Sequence, residues 1–336
     1  MKTILFTGGS SLLAQTWIKE NDPEFNYILG LHKRAPRQNK FKTIFIQYDS
    51  VDKIKEQINK LNVDVIINCI GLTNVEDCEK NPELAEKVNI DIPQSIARAS
   101  FDCKIKFVQI STDHLFDGNS SYYSETFSCN PLNVYGVTKA QGEKVVLEVN
   151  PRALIIRTNF FGYGPSYKAS FSDKILENLD SGVTSNLFDD VHYTPVSVST
   201  LRKMVTTLLN KNGEGVFNVC SNERLTKFQF GLLLAKTYGY STSLIKPISI
   251  NEIPNLTTRP KDMSLSNYKL CNHLGLFFPS IKEQISELKQ DQFKNKKRHV
   301  IPYGRQDISE IDIKKVVNVL RSDFVTQGPI IQRFEK

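Results

Sequence analysis

Residues 2–14 read Lys-Thr-Ile-Leu-Phe-Thr-Gly-Gly-Ser-Ser-Leu-Leu-Ala, which is an apolar run, a cluster of small residues and the beginning of a second apolar stretch. This order predicts a buried strand, a turn and a helix. The same alternation continues through the first half of the chain, and it predicts an α/β fold with a doubly wound parallel sheet. The predicted strands lie at 4–6, 27–31, 43–47, 63–70, 104–110 and 153–157, and the predicted helices at 52–61, 82–100 and 131–149.

The pattern loosens after about residue 160, where Gly162-Tyr163-Gly164-Pro165 interrupts it. Beyond this break, helices predicted near 170–180, 197–210 and 227–238 indicate a smaller C-terminal lobe. A polar, basic stretch then precedes a new apolar start at Val300. We therefore predict four parts, which are a sheet domain at 1–160, a smaller lobe at 161–288, a basic linker at 289–299 and a separate segment at 300–336.

The formal net charge of +7 is unevenly distributed along the 336 residues. Residues 289–336 hold 11 Lys and Arg against 6 Asp and Glu, so the main body is close to neutral. The excess is concentrated in Lys294-Asn295-Lys296-Lys297-Arg298, and no aromatic residue interleaves this run for base stacking. A solvated linker explains such a run, and we expect no nucleic-acid partner.

The apolar stretch between Lys2 and Gly8 is too short for a signal peptide or a membrane span. We therefore expect a cytoplasmic protein that has no membrane partner. The six cysteines are dispersed, form no CxxC pair and have no histidines at metal-ligand spacing. This pattern favours free thiols and predicts no metal site.

Small residues follow the first predicted strand, at the start of the first helix. In a Rossmann-type sheet, the free N–H groups and the positive dipole end at this turn receive a pyrophosphate, and small residues let the phosphates approach the backbone. A plain strand-to-helix turn is the alternative explanation. The candidate cofactor-binding residues of the turn are Gly8, Ser10, Ser11, Leu12 and Leu13.

The second predicted strand is followed by His32-Lys33-Arg34. A protein that prefers NAD commonly places an Asp or Glu here, on the ribose 2′-hydroxyl. Two cations instead favour the 2′-phosphate of NADP. The alternative is a solvated basic loop.

Tyr135 and Lys139 lie four residues apart, so a helix through them places both on one face. A tyrosine of ordinary pKa about 10 is a poor acid–base group near neutral pH until a cation such as Lys139 favours its phenolate. Ser111 and Thr112 end a predicted strand at the carboxyl edge of the sheet, where open α/β folds bind ligands. Their hydroxyls are candidates to hydrogen-bond a substrate carbonyl.

These segments resemble the dTDP-4-dehydrorhamnose reductase family of extended short-chain dehydrogenases over roughly residues 1–288. The resemblance rests on Ser111-Thr112-Asp113-His114-Leu115-Phe116-Asp117-Gly118 and on Asn130-Pro131-Leu132-Asn133-Val134-Tyr135-Gly136-Val137-Thr138-Lys139. It implies a Rossmann-type NAD(P)-binding domain, a substrate-binding lobe and hydride transfer to the C4 carbonyl of a nucleotide-linked 6-deoxyhexulose. It further implies that Tyr135 donates the proton, that Lys139 orients the nicotinamide ribose, and that Thr112 binds the carbonyl with Ser111 beside it.

The same resemblance implies NADPH as the cofactor, with NADH as the alternative, a nucleotide-sugar substrate and a role in deoxysugar or surface-polysaccharide synthesis. It leaves a homodimer open. Further cofactor contacts are implied at Asp49, Ser50, Cys69, Ile70, Gly71 and Thr73, and substrate contacts at Thr112, Asp113, Asn159, Phe160 and Arg259.

The sequence departs from the family at three places. Ser11 and Ala14 replace the later glycines of the cofactor loop. Phe160 replaces a tryptophan of the family, and we therefore expect the accepted sugar or base to differ. Asp113-His114 stands where related 4,6-dehydratases have Asp-Glu, which favours simple ketone reduction over elimination. Two alternatives stay open, namely a sugar-nucleotide epimerase of the same fold and a non-catalytic NADP-binding regulatory subunit.

The C-terminal segment has its own resemblance. Ile301-Pro302-Tyr303-Gly304-Arg305-Gln306-Asp307-Ile308-Ser309-Glu310 is similar to the start of PLP-dependent sugar-nucleotide aminotransferases. The lysine that carries PLP in that family lies far downstream and has no counterpart in this chain. The resemblance therefore implies an aminotransferase-like N-terminal fragment at 300–336 that cannot transaminate alone.

Overall fold

A computed structural model describes residues 2–19, 24–31, 41–165, 167–298 and 317, without the side chains of 292–298. Residues 1–289 form one compact unit. The strands are β1 Lys2–Thr7, β2 Phe25–Leu31, β3 Lys42–Phe45, β4 Val65–Asn68, β5 Lys106–Ile110, β6 Leu154–Arg157, β7 Phe160–Phe161, β8 Ser185–Phe188, β9 His192–Tyr193, β10 Val196–Ser197, β11 Gly215–Asn218, β12 Leu225–Thr226 and β13 Ile245–Ile248. The α-helices are α1 Leu12–Lys19, α2 Val51–Asn59, α3 Val75–Lys80, α4 Pro82–Glu86, α5 Ile92–Asp102, α6 Val134–Val149, α7 Phe171–Asp180, α8 Val198–Asn210, α9 Lys227–Tyr238, α10 Tyr268–Leu274 and α11 Ile281–Arg298.

Seven parallel strands form the main sheet, in the order β11-β6-β5-β4-β1-β2-β3. The six strands predicted from the sequence are its first six in chain order, so the predicted doubly wound fold is confirmed. The order reverses between β1 and β4, and ligands of open α/β sheets bind at the carboxyl ends of the strands near such a switch point. The strand β11 was not predicted, and it extends the sheet beyond β6.

Successive residues of the central strands face opposite sides of the sheet. Ile4 and Phe6 of β1 belong to a core with α1 and α8, whereas Leu5 belongs to a second core with α2 and α5. The same alternation holds in β6, where Leu154 and Ile156 face the first core and Ile155 the second. Both faces are thus covered by helices, which explains why the strands are almost continuously apolar.

A third core lies in the smaller lobe. It joins Ile175 of α7, Phe230 of α9, Ile245 of β13 and two residues of the last helix, Ile281 and Ile285. Helix α11 continues to Arg298, through most of the segment expected to be a linker. The division of the chain at residues 160, 288 and 299 stays a prediction.

The predicted helix at 82–100 contains an irregular turn. The structure has α4, then a π-helical turn at Lys87–Asp91, and then α5. Pro93 explains the irregularity, because it has no N–H to donate to the carbonyl of Asn89 four residues earlier. No helix among the described residues is long and apolar enough to cross a membrane, and these residues contain no cluster of three candidate metal ligands.

Candidate active site

Helix α6 carries Tyr135 and Lys139, and its first turn is fixed by polar contacts. The Asn133 side chain caps the helix by accepting from the Gly136 N–H at 2.9 Å. Its amide also donates to the carbonyl of Thr258 at 2.9 Å, which connects the helix to the loop before Arg259. Tyr135 and Lys139 are therefore held one turn apart, and both are buried.

The Tyr135 phenol lies beside the Thr112 hydroxyl, which follows β5. Burial raises the pKa of Tyr135 well above its ordinary value, and the charge of Asp113 raises it further. Hydrogen bonding with Thr112 opposes this shift only in part. The hydroxyl of Tyr135 is therefore protonated at neutral pH, which differs from the expected stabilisation of its phenolate by Lys139.

Lys139 occupies the space between the ends of β4 and β5. Its ammonium donates to the carbonyl of Ile110 at 2.8 Å. Burial lowers the pKa of Lys139 to about 8, although Glu143 and Cys69 act in the opposite direction. Cys69 belongs to the predicted cofactor segment. The side chain of Lys139 therefore extends from α6 to the segment that is predicted to bind the cofactor.

Ser111 has a different role from the one expected. Its hydroxyl donates to the carboxylate of Glu143, which is also paired with Arg157 at 2.7 Å. All three side chains are buried. Since the hydroxyl of Ser111 is committed to this network, it is not available to a substrate carbonyl, and Thr112 is the hydroxyl that lies beside Tyr135.

Asp113 is fully buried directly after Thr112. One of its oxygens accepts from the amide of Asn159 at 2.7 Å, and the other accepts from the hydroxyl of Thr112 at 3.3 Å. The ring of His114 lies edge-on to Tyr135, with 5.5 Å between the ring centroids. Burial lowers the pKa of His114, so it is neutral at neutral pH, and its buried Nδ1 has no hydrogen-bond partner among the described residues.

Two other residues were predicted to bind the substrate, Arg259 and Phe160. Arg259 pairs with Glu76 of α3 at 2.6 Å, and its charge contributes to the lowered pKa of His114. Phe160 begins β7 and is half-buried against the first core. The sequence thus identified residues that the fold brings near one another, but it did not predict that Arg259 has an acidic partner.

The predicted cofactor turn closely approaches the end of β4. Gly8 has a φ of +73°, and a Cβ at this position would lie 3.0 Å from the backbone carbon of Cys69 and from the nitrogen of Ile70. A side chain there would enter the space between the two strand ends, so the turn requires glycine. This narrow cradle at the N-terminus of α1 fits a dinucleotide pyrophosphate. The turn continues through Ser10 and Ser11, and α1 begins with Leu12 and Leu13.

The remaining predicted cofactor residues differ in their surroundings. Asp49 is exposed and pairs with Lys53 at 2.7 Å, while Ser50 caps α2. Gly71 precedes Leu72, whose backbone N–H donates to the Asn89 side chain and whose carbonyl accepts from it. Thr73 is exposed. His32, Lys33 and Arg34 lie outside the described residues.

Sequence reasoning did not single out four residues of this region. Asn89 connects the cofactor loop to α6 through a hydrogen bond to Thr138 at 3.1 Å. Glu143, one turn after Lys139 on α6, organises Ser111 and Arg157. Tyr193 and Lys227 approach Asp113 from the smaller lobe. No local pattern marks these two, because the fold brings them there from distant parts of the chain.

Comparisons with known proteins identify the family of this chain. The family described as RmlD substrate binding domain matches residues 1–317. A probable low-salt glycan biosynthesis reductase from Haloferax volcanii is 30% identical over 290 residues, which cover 84% of this chain and 95% of that protein. Methionine adenosyltransferase 2 subunit beta from Bos taurus is 26% identical and covers 80% of this chain and 81% of its own.

Solved structures share the fold. The crystal structure of a hypothetical dTDP-4-dehydrorhamnose reductase from Sulfolobus tokodaii superimposes with a TM-score of 0.72 at 27% identity. The match covers 84% of this chain and 99% of that one. The family match continues into the segment that resembles an aminotransferase, and that second resemblance stays a prediction.

Proposed function

The chain belongs to the RmlD substrate binding domain family, and from this premise we propose that it is an NADPH-dependent reductase of a nucleotide-linked 4-keto-6-deoxyhexose. The observation that carries the proposal is the protonated phenol of Tyr135 beside the hydroxyl of Thr112, at the carboxyl edge of the sheet. Ketone reduction requires a protonated donor at the carbonyl oxygen. The reductase from Haloferax volcanii supports the same class of reaction.

In this proposal, Thr112 and Tyr135 hold the carbonyl oxygen of the sugar between their hydroxyls. Tyr135 transfers its proton to that oxygen as negative charge develops there. Lys139 binds the nicotinamide ribose from its position between the ends of β4 and β5. The bound cofactor supplies the hydride. Asp113 and Asn159, which are hydrogen-bonded to each other, orient the sugar ring.

The choice of NADPH over NADH rests on the sequence. Lys33 and Arg34 follow the second strand, at the place where an acidic residue commonly binds the 2′-hydroxyl of NAD. Their two positive charges suit the additional 2′-phosphate of NADPH. We propose a role in deoxysugar or surface-polysaccharide synthesis in the cytoplasm.

The test is an assay of cofactor oxidation with dTDP-, UDP- and GDP-linked 4-keto-6-deoxyhexoses, run in parallel with NADPH and NADH. We expect turnover with at least one sugar and a higher kcat/KM for NADPH. Binding of the cofactor without turnover of any sugar would contradict the reductase function.

The variant Tyr135→Phe removes the proposed proton donor and leaves the ring. We expect kcat to fall by about 10²- to 10⁴-fold, the usual contribution of a general acid, while NADPH affinity changes little. Tyr240→Phe is the matched control, because it removes a hydroxyl that contacts Asp180 on the exposed side of the smaller lobe. If Tyr135→Phe instead lost NADPH binding, Tyr135 would have a structural role.

A second candidate function is a nucleotide-binding subunit of another enzyme. It is favoured by the similarity to methionine adenosyltransferase 2 subunit beta, which extends over 287 residues. The assay separates the two functions, because a subunit without catalysis would bind NADPH and leave all the keto sugars unchanged.

A further inference from the structure

Lys227, the first residue of α9, lies on an aromatic surface. Its ammonium is 3.3 Å from the ring centroid of Tyr193 and 5.2 Å from that of Phe171. The hydroxyl of Thr226 caps the helix by accepting from the N–H of Gln229 at 3.0 Å, so the cap does not occupy the lysine. Among the described residues, the ammonium of Lys227 has neither a hydrogen-bond acceptor nor an ion-pair partner.

Apart from the attraction of the two aromatic faces, the surroundings of this ammonium disfavour its charge. Burial lowers the pKa of Lys227 to about 8, and the charge of Asp113 offsets only part of that effect. The positive end of the α9 dipole also repels a cation at the first helical residue. The two oxygens of Asp113 accept hydrogen bonds from Asn159 and Thr112, and no hydrogen bond or ion pair joins Asp113 to Lys227 within the described residues.

Two further polar groups around Asp113 lack partners. The hydroxyl of Tyr193 is buried and makes no hydrogen bond within the described residues, and the same is true of Nδ1 of His114. The charge of Asp113 influences the pKa of both groups, as it does that of Lys227. Buried polar groups normally have partners, so these two groups, together with the half-buried ammonium of Lys227, indicate a place for ligand oxygens.

We propose that Lys227 is a specificity-determining residue that donates a hydrogen bond to the oxygen of the ring substituent next to the ketone. The inference rests on the proposed function, because Asp113 and His114 follow the carbonyl-binding Thr112 directly and so face the ring carbon beside the ketone. An ammonium is only a donor, so it binds a hydroxyl or acyl oxygen and repels a protonated amine. The site therefore selects hydroxyl-bearing or acylated keto sugars over sugars with a free amine at carbon 3.

The test is calorimetric titration of the NADP-loaded chain with matched dTDP- and UDP-linked 6-deoxyhexoses that carry either a hydroxyl or a free amine at carbon 3. The wild-type chain should bind the hydroxyl sugar more tightly than the amino sugar. Lys227→Met should weaken binding of the hydroxyl sugar about 10- to 100-fold, the usual effect of one hydrogen bond from a charged group, and should abolish the discrimination. Lys227→Arg, which keeps the charge, should preserve the discrimination.

The matched control is Lys269→Met. Lys269 also lies over an aromatic ring, at 4.3 Å from the centroid of Phe217, but it donates to the carbonyl of Val216 on the exposed side of β11. This control should leave sugar binding unchanged. Thermal unfolding gives a second readout, because removal of an unpartnered ammonium should leave the Tm of Lys227→Met equal to or above that of the wild type.

Each outcome decides a separate question. Equal sugar affinity and equal discrimination in the wild type and in Lys227→Met would overturn this inference alone. A marked fall in Tm together with the loss of affinity would show a structural role for Lys227 and would overturn it as well. If the wild-type chain bound none of the sugars, the proposed function itself would fail.

Discussion

At the scale of single residues, two lysines share a pKa of about 8 but have different surroundings. Lys139 has a carbonyl acceptor and two titratable neighbours, Glu143 and Cys69, whereas Lys227 has aromatic rings and Asp113. Each lysine is protonated below about pH 8 and neutral above it. The unfolded chain keeps these protons to higher pH, so both groups make the free energy of unfolding rise as the pH increases from about 8 towards their ordinary value of 10.5.

The activity should depend on pH in the opposite sense. If the ammonium of Lys139 binds the cofactor ribose, kcat/KM for NADPH falls above about pH 8 as the lysine loses its proton. Tyr135 adds no decline in this range, because its pKa is raised. A pH–rate profile of Lys227→Met checks the assignment, since the alkaline decline should persist there if Lys139 causes it. A profile that is flat to pH 10 in the wild type would contradict the role of Lys139.

At the scale of single elements, the sequence predicted the main strands and helices because each is long or apolar enough to show its period. The residues that hold the site's side chains and loops in place through hydrogen bonds were not predictable in this way. Glu143 and Asn89 act through contacts 32 and 17 residues away, with Ser111 and Leu72. The π-helical turn has only a proline as its local signal, and the short strand β11 has four residues and no alternation to mark it.

The contact between the π-helical turn and α6 leads to a prediction at this scale. A Cβ at Gly142 would clash with the backbone carbonyl of Asn89. Alanine normally stabilises a helix interior relative to glycine, but Gly142→Ala should lower the free energy of unfolding by about 1–3 kcal/mol because of this overpacking. Urea denaturation followed by the fluorescence of buried Trp17 measures the change.

Val137→Ala is the control for that measurement, because Val137 is exposed on the same helix. Its free energy of unfolding should stay within about 0.5 kcal/mol of the wild type. A Gly142→Ala chain as stable as this control would show that α6 and the π-helical turn can separate without cost.

At the scale of the whole molecule, the described cores lie between Ile4 and Ile285. The sequence indicated a boundary near Leu288 from composition alone, since basic and polar residues replace the apolar pattern there. It did not show that a helix crosses that boundary, because the apolar face of α11 is confined to its first turns and the basic run at 294–298 follows it. That face contains Ile281 and Ile285, which close the core of the smaller lobe.

Two shortened chains test which part of the C-terminal region the fold requires. A chain that ends at Arg298 keeps α11 and should match the full chain in free energy of unfolding and in kcat/KM. A chain that ends at Ser280 loses Ile281, Ile285 and the Gln284 side chain that accepts from the Ser197 N–H at 2.8 Å. Loss of the two buried isoleucines should lower the free energy of unfolding by about 4–10 kcal/mol, which is comparable to the whole stability of many domains.

Urea denaturation followed by Trp17 fluorescence compares the three chains. Equal stability of the two shortened chains would show that α11 is dispensable, and a loss of activity in the chain that ends at Arg298 would assign a function to residues 299–336.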